Sequence, residues 1–141
     1  MLNRIRKNRG GFTLVEIMIV VAIIALLAAI AVPGFLRARK RSQATAILND
    51  ARVLDGAKDQ YAIENNRSGS TVVTASMLTG YLKPGTRLYT ACSAGTAPTD
   101  LLGNAYVLPS FDRSVTVSGT TTANFTDVID SASAFWGAYG G

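Results

Sequence analysis

Between Ile17 and Leu36 the chain carries no charge, and twelve of those twenty residues are Leu, Ile, Val or Phe. At about 1.5 Å per helical residue such a run reaches roughly 30 Å, the thickness of the hydrocarbon core of a bilayer. A helix made of it has to be covered, either by lipid or by other apolar helices. One carboxylate, Glu16, stands at its start, and ahead of it lies a short basic head that ends in Gly10-Gly11.

The charge of the chain is concentrated in that head. Arg4, Arg6, Lys7 and Arg9 supply four of the formal net charge of +5, and every acidic residue follows Gly11. Without the head the protein is nearly neutral, so its basicity gives little support to nucleic-acid binding, and no nucleic-acid partner is expected. The chain has no histidine, which removes Ser-His and Cys-His pairs and the usual zinc sites. Cys92 is the single cysteine, so no internal disulfide can form and no base is at hand to activate the thiol. No glycine-rich phosphate loop or paired-acid motif appears, and an enzyme is not expected.

A secretory signal places its small-residue cleavage site after the apolar region. Here the small residues Gly10 and Gly11 come before it. A cut there would discard the basic head and keep the hydrophobic helix, which implies a further task for that helix.

The string GGFTLVEIMIVVAIIALLAAIAVP, with Gly11, Phe12, Thr13-Leu14, Glu16 and Pro33 in register, resembles the N-terminus of type IV pilins and type II secretion pseudopilins. The resemblance implies cleavage between Gly11 and Phe12 by a membrane prepilin peptidase, N-methylation of Phe12 and packing of the mature subunit into a helical filament. A plain signal anchor is the simpler alternative. Arg37, Arg39, Lys40 and Arg41 balance the basic head across the apolar run, so the positive-inside rule alone does not orient the chain. The resemblance does, since the peptidase of that family acts on the cytoplasmic face.

Glu16 has a physical constraint of its own. A carboxylate at full membrane depth costs on the order of 3 kcal/mol, so it needs a partner or a place near the headgroups. Near a helix N-terminus the macrodipole favours it. It can simply reach water; the resemblance implies instead that it pairs with the Phe12 amine of a neighbouring subunit and sets the step of assembly.

Pro33-Gly34 predicts a kink, because proline removes a backbone hydrogen bond and glycine eases local unwinding. The alternative is a break between two helices. Beyond it, Ala44, Ile47, Leu48, Ala51, Leu54, Lys58 and Tyr61 recur at three- and four-residue steps, the stripe of an amphipathic helix ending near Asn65-Asn66 and Ser68-Gly69-Ser70. Unbroken from Phe12 to Asn65, such a helix would extend roughly 80 Å. Asp55 and Asp59 read as a solvated face. The Arg37–Arg41 cluster reads as headgroup anchoring by long side chains in preference to nucleic-acid contact.

In the remainder, Ala75 to Pro84 predicts a short helix capped by Thr74, and Arg87 to Ala91 an extended piece. Ala105–Leu108 and Ser114–Ser118 predict a hairpin of two strands turning around Pro109 to Arg113. In Asp100-Leu-Leu-Gly-Asn-Ala-Tyr106, Gly103-Asn104 supplies a tight turn into which Asp100 can hydrogen-bond, leading to Tyr106. This phrase is similar to the D-x-x-G-N-x-Y of major pseudopilins and favours the secretion branch, as does the lack of a disulfide. Many major pseudopilins bind calcium in an acidic loop after the second strand. The corresponding Ser118-Gly119-Thr120-Thr121-Thr122 offers hydroxyls, and Asp112, Asp127 and Asp130 fit no coordinating spacing, so no cofactor is expected, with calcium as the alternative. Phe125–Asp130 and Phe135-Trp136 to Tyr139 read as an apolar flap.

The expected fold is α+β: a long N-terminal helix packed on a small antiparallel sheet. Its parts are a leader at 1–11, an assembly half-helix at 12–36, an amphipathic half at 37–66 and a head at 67–141. The expected function is that of a pseudopilin in a periplasmic secretion filament, partnered by copies of itself, prepilin peptidase, an inner-membrane assembly platform, minor pseudopilins and the lipid bilayer. A surface pilin and a non-polymerising anchored binding protein are the alternatives.

Overall fold

The computed structural model describes residues 10–129 and 132–141, so Arg4, Arg6, Lys7, Arg9 and Asp130 lie outside the described residues. The chain divides into two compact units, one ending at Leu36 and the other running Arg37–Gly141.

Helix α1 (Leu14–Glu64) is not interrupted at Pro33, which lies inside it. Two separate helices are therefore not formed. In the first unit no side chain from Phe12 to Leu36 is buried, and large residues such as Leu26 and Ile30 are 65% and 74% exposed. It is the one described helix long and apolar enough to cross a membrane. On an insertion scale the twelve Leu, Ile, Val and Phe residues between Ile17 and Leu36 favour the bilayer by roughly 4–7 kcal/mol in sum.

In the second unit the helix presents a stripe to a core. Ala44, Ile47, Leu48, Ala51, Leu54, Ala57 and Lys58 are its buried residues, the 3.6-residue period made physical. Each fully buried Ile or Leu in it stabilises the fold by about 1.5–3 kcal/mol. Against the stripe pack Leu78, Leu82, Leu88, Cys92, Tyr106, Val115, Val117, Phe125 and Trp136. Burial raises the Cys92 thiol above its ordinary range, so the residue behaves as a small apolar side chain. The tail is part of this core, with Trp136 against Phe125 and edge-on to Phe135.

The short helices are α2 (Ala75–Leu78), α3 (Arg87–Ser93), α4 (Gly119–Ala123) and α5 (Ala132–Trp136). The segment after Thr74 forms α2 and a 3₁₀ turn over Thr79–Tyr81, and the Thr74 side chain makes no capping bond. The extended piece expected at Arg87–Ala91 is instead helical. Thr86 caps α3 by accepting the Tyr89 N–H at 3.2 Å, and Leu88 and Cys92, four apart, face the core.

The antiparallel sheet expected in the head is not formed: the described residues contain no β-strand, only isolated bridges. The hairpin is reduced to one pair, Val107 and Thr116, which exchange N–H···O bonds of 2.9 and 3.1 Å. The neighbouring backbone groups are drawn elsewhere. Pro109 has no N–H to continue the ladder on one side. On the other, Ala105 pairs with Thr99 and Ser118 is the N-cap of α4. The Tyr106 N–H goes to Pro98 O, Val117 N–H to Tyr139 O, and Val115 N–H to the Asp55 carboxylate. Asp55 is thus no solvated residue. It is partly buried and holds the Lys58 ammonium at 2.7 Å, while Lys58 also donates to Arg113 O.

Candidate functional site

The sequence places its candidate residues in two places, the first turn of α1 and the turn at Asp100. At the first, residues 10–13 lie outside the helix and Phe12 is 78% exposed. Thr13 is the cap. Its Oγ1 accepts the Glu16 N–H at 3.2 Å and its carbonyl accepts the Ile17 N–H at 3.3 Å. Thr13-Leu14-Val15-Glu16 has the spacing of a capping box, a signal in the sequence that marks Thr13 as the start of the helix.

Glu16 then occupies the first turn of α1, where unpaired N–H groups and the helix dipole stabilise its charge. Its carboxylate is exposed, and no cation pairs with it among the described residues. A carboxylate of this kind can accept a charge-assisted hydrogen bond. Pro33 and Gly34 lie within α1, exposed, with open space around Gly34.

The second place is a closed network. Gly103 has φ +88°, which glycine adopts without strain. Asp100 Oδ1 accepts the backbone N–H groups of Leu102 and Asn104 at 2.8 and 3.0 Å, and the Asp100 N–H donates to Asn104 O at 2.8 Å. Thr121 of α4 donates to Asp100 Oδ2 and accepts Asn104 Nδ2–H at 2.9 Å. Tyr106 passes into the core and donates its hydroxyl to Ile47 O of α1 at 3.2 Å. Burial, with the nearby charges of Asp50 and Asp100, raises the Tyr106 hydroxyl well above its ordinary range. Asp100, Gly103, Asn104 and Tyr106 are therefore brought together as a brace joining turn, α4 and α1. Thr121, the fifth member, is not part of the phrase that marks the others.

Calcium does not fit here. Ser118 to Thr122 enter α4, the Thr121 hydroxyl and both Asp100 oxygens are engaged within the brace, and the described residues hold no group of three or more acidic, Cys or His side chains suited to a cation.

At the start of the second unit, Lys40 Nζ bonds Asp127 Oδ2 at 2.6 Å, and this contact holds the Asp127 carboxyl below its usual range. Arg87 similarly reaches Asp50 at 2.6 Å, tying α3 to α1.

An exposed apolar helix is thus capped by Thr13 and carries in its first turn one acid unpaired among the described residues, and residues 6–32 match the family described as the prokaryotic N-terminal methylation motif. The chain carries this prepilin-type motif and has relatives among both type IV pilins and type II secretion proteins. It is 49% identical over 63 residues to the type IV wide pilus major component PilA4 of Thermus thermophilus, covering 43% of this chain and 46% of the relative. It is 36% identical over 65 residues to the type II secretion system core protein G of Klebsiella pneumoniae, covering 46% of each. To the type IV major pilin protein PilA of Myxococcus xanthus it is 39% identical over 66 residues, 47% of this chain and 30% of that one. The chain thus spans less than half the length of these relatives. No solved structure matches it.

Proposed function

We propose that the protein is a structural subunit, a pseudopilin of a type II secretion filament, and no enzyme. The observation that carries this reading is Glu16, unpaired among the described residues, in the first turn of a helix half whose side chains are all exposed. Lipid covers that surface in the membrane and copies of the same helix cover it in a filament, and in each setting the lone acid needs a cation. The Phe12 amine released by a prepilin peptidase at Gly11 supplies one on the adjoining copy. In this reading the chain crosses the inner membrane once with its head in the periplasm, an assembly platform extracts it, and minor pseudopilins start the filament. Pro33-Gly34 gives the helix a place to bend or unwind as it is packed. The parts are the leader at 1–11, the assembly half-helix at 12–36, the amphipathic half at 37–66 and the head at 67–141.

The test is Glu16→Ala in the native host. The variant is processed to begin at Phe12 and inserts in the membrane, but yields no filaments. Normal polymerisation would sink the pairing argument, and a mature protein beginning at Met1 would sink the filament reading in favour of a plain anchored protein.

The similarity to a wide-pilus component favours a second reading, a surface pilin. Long extracellular fibres at native expression, seen by electron microscopy, decide for it; secretion loss without such fibres decides for the pseudopilin.

A further inference from the structure

The second unit opens with four cations in five residues, Arg37, Arg39, Lys40 and Arg41, directly after the uncharged run. Lys40 is committed to Asp127. Arg37 and Arg41, one helical turn apart and on the same face, line a cleft of about 360 Å³ with Ala38, Asp127 and Val128. Neither guanidinium has an ion-pair partner among the described residues. Among the described residues Asp127 is the one acid lining the cleft, and Lys40 neutralises it, so what the cleft offers to a ligand is two positive forks beside an apolar Val128 wall.

We propose that Arg37 and Arg41 form a binding site for the phosphate headgroup of an anionic phospholipid. Guanidinium forks match phosphate oxygens in pairs, which a merely snorkelling lysine does not. Twenty uncharged residues, about 30 Å of helix, end at Leu36, so the cleft meets the headgroup layer. The lysine–aspartate contact serves the site by removing the repulsion that a bare carboxylate would exert on phosphate. The inference rests on the membrane-spanning reading and is independent of whether the subunit polymerises.

The experiment uses the full chain in phosphatidylcholine vesicles containing trace spin-labelled phosphatidylglycerol or phosphatidylcholine, with insertion checked by flotation. The wild type immobilises the phosphatidylglycerol probe preferentially, and the preference shrinks as salt rises. The variant R37Q/R41Q loses roughly fivefold or more of that preference, while R52Q/R67Q, altering exposed arginines that do not line the cleft, keeps it. A wild type that floats but shows no preference overturns the site and leaves the membrane reading standing. A chain that does not float overturns both. Retained preference in R37Q/R41Q, or a change confined to its oligomeric size, also overturns the proposal, the latter assigning the arginines to a second copy of the chain.

Discussion

Lys58 and Asp55 form an ion pair inside the second unit, 2.7 Å apart, with side chains only 3% and 15% exposed. The pair acts as a latch, because Lys58 also donates to Arg113 O and Asp55 also accepts the Val115 N–H, so the backbone on both sides of Ser114 is tied to α1. Removing a single partner leaves the other charge desolvated. Lys58→Ala is expected to destabilise the protein by about 3 kcal/mol. In Asp55→Asn/Lys58→Met the amide oxygen still serves Val115 and no charge is stranded, so the double variant is expected within about 1 kcal/mol of wild type. Urea unfolding of the full chain in detergent micelles compares them, and equal losses in both would refute the stranded-charge account.

Tyr106 links the turn at Asp100 to α1 through its bond to Ile47 O. Tyr106→Phe removes that bond at small change in volume and should cost about 1 kcal/mol at neutral pH. The raised hydroxyl also gives a pH signature. In the unfolded chain tyrosine releases its proton near pH 10, whereas burial keeps the folded side chain protonated beyond that. The stability tied to the protonated hydroxyl is complete below pH 10 and is lost as pH climbs toward the raised value, at up to about 1.4 kcal/mol per pH unit. Tyr81, raised chiefly by its hydrogen bond to Glu64, bends the curve the same way, so the readout is the difference between wild type and Tyr106→Phe. Parallel curves above pH 10 would mean that Tyr106 titrates normally.

The Thr121 hydroxyl has a defined direction: it accepts a hydrogen bond from Asn104 Nδ2–H and donates one to Asp100 Oδ2. Thr121→Val keeps the shape and strands both partners, an expected loss of about 2 kcal/mol. Thr121→Ser preserves both bonds and should stay within about 1 kcal/mol of wild type. Thermal unfolding distinguishes them. A valine variant as stable as the serine one would show that the brace holds without its hydroxyl.

The stripe of α1 was legible because a periodic signal needs only neighbouring residues, and Ala44 to Lys58 carry it plainly. Glu16 was legible for a related reason, as the one acid beside a long uncharged run. What the sequence hid depends on distant partners. Ala105–Leu108 and Ser114–Ser118 have strand composition, yet their ladder stops at one pair because Pro109 has no N–H to extend it, Ala105 is bridged to Thr99 and Ser118 caps α4. Asp55 resembles a surface residue until Val115 is brought to it. Thr121 stands 21 residues beyond Asp100 and belongs to no recognisable phrase. Arg87–Ser93 is a different kind of miss, since Pro84-Gly85-Thr86 is an adequate helix-start signal that β-like composition outweighed.

Thr13 fixes where α1 begins, and so fixes that Glu16 falls in the first turn and that the Gly11-Phe12 peptide lies outside the helix. Thr13→Ala removes the acceptor for the Glu16 N–H, a change worth about 1 kcal/mol, while Thr13→Ser restores it. In micelles the amides of Leu14 to Ile17 are therefore expected to exchange with deuterium roughly fivefold faster in the alanine variant and at the wild-type rate in the serine variant. The Leu26 and Leu27 amides, deep within α1, serve as the reference and should not change. If alanine leaves the first turn as protected as threonine does, the hydroxyl does not hold the helix start. Glu16 would then owe its placement to the dipole of α1 alone.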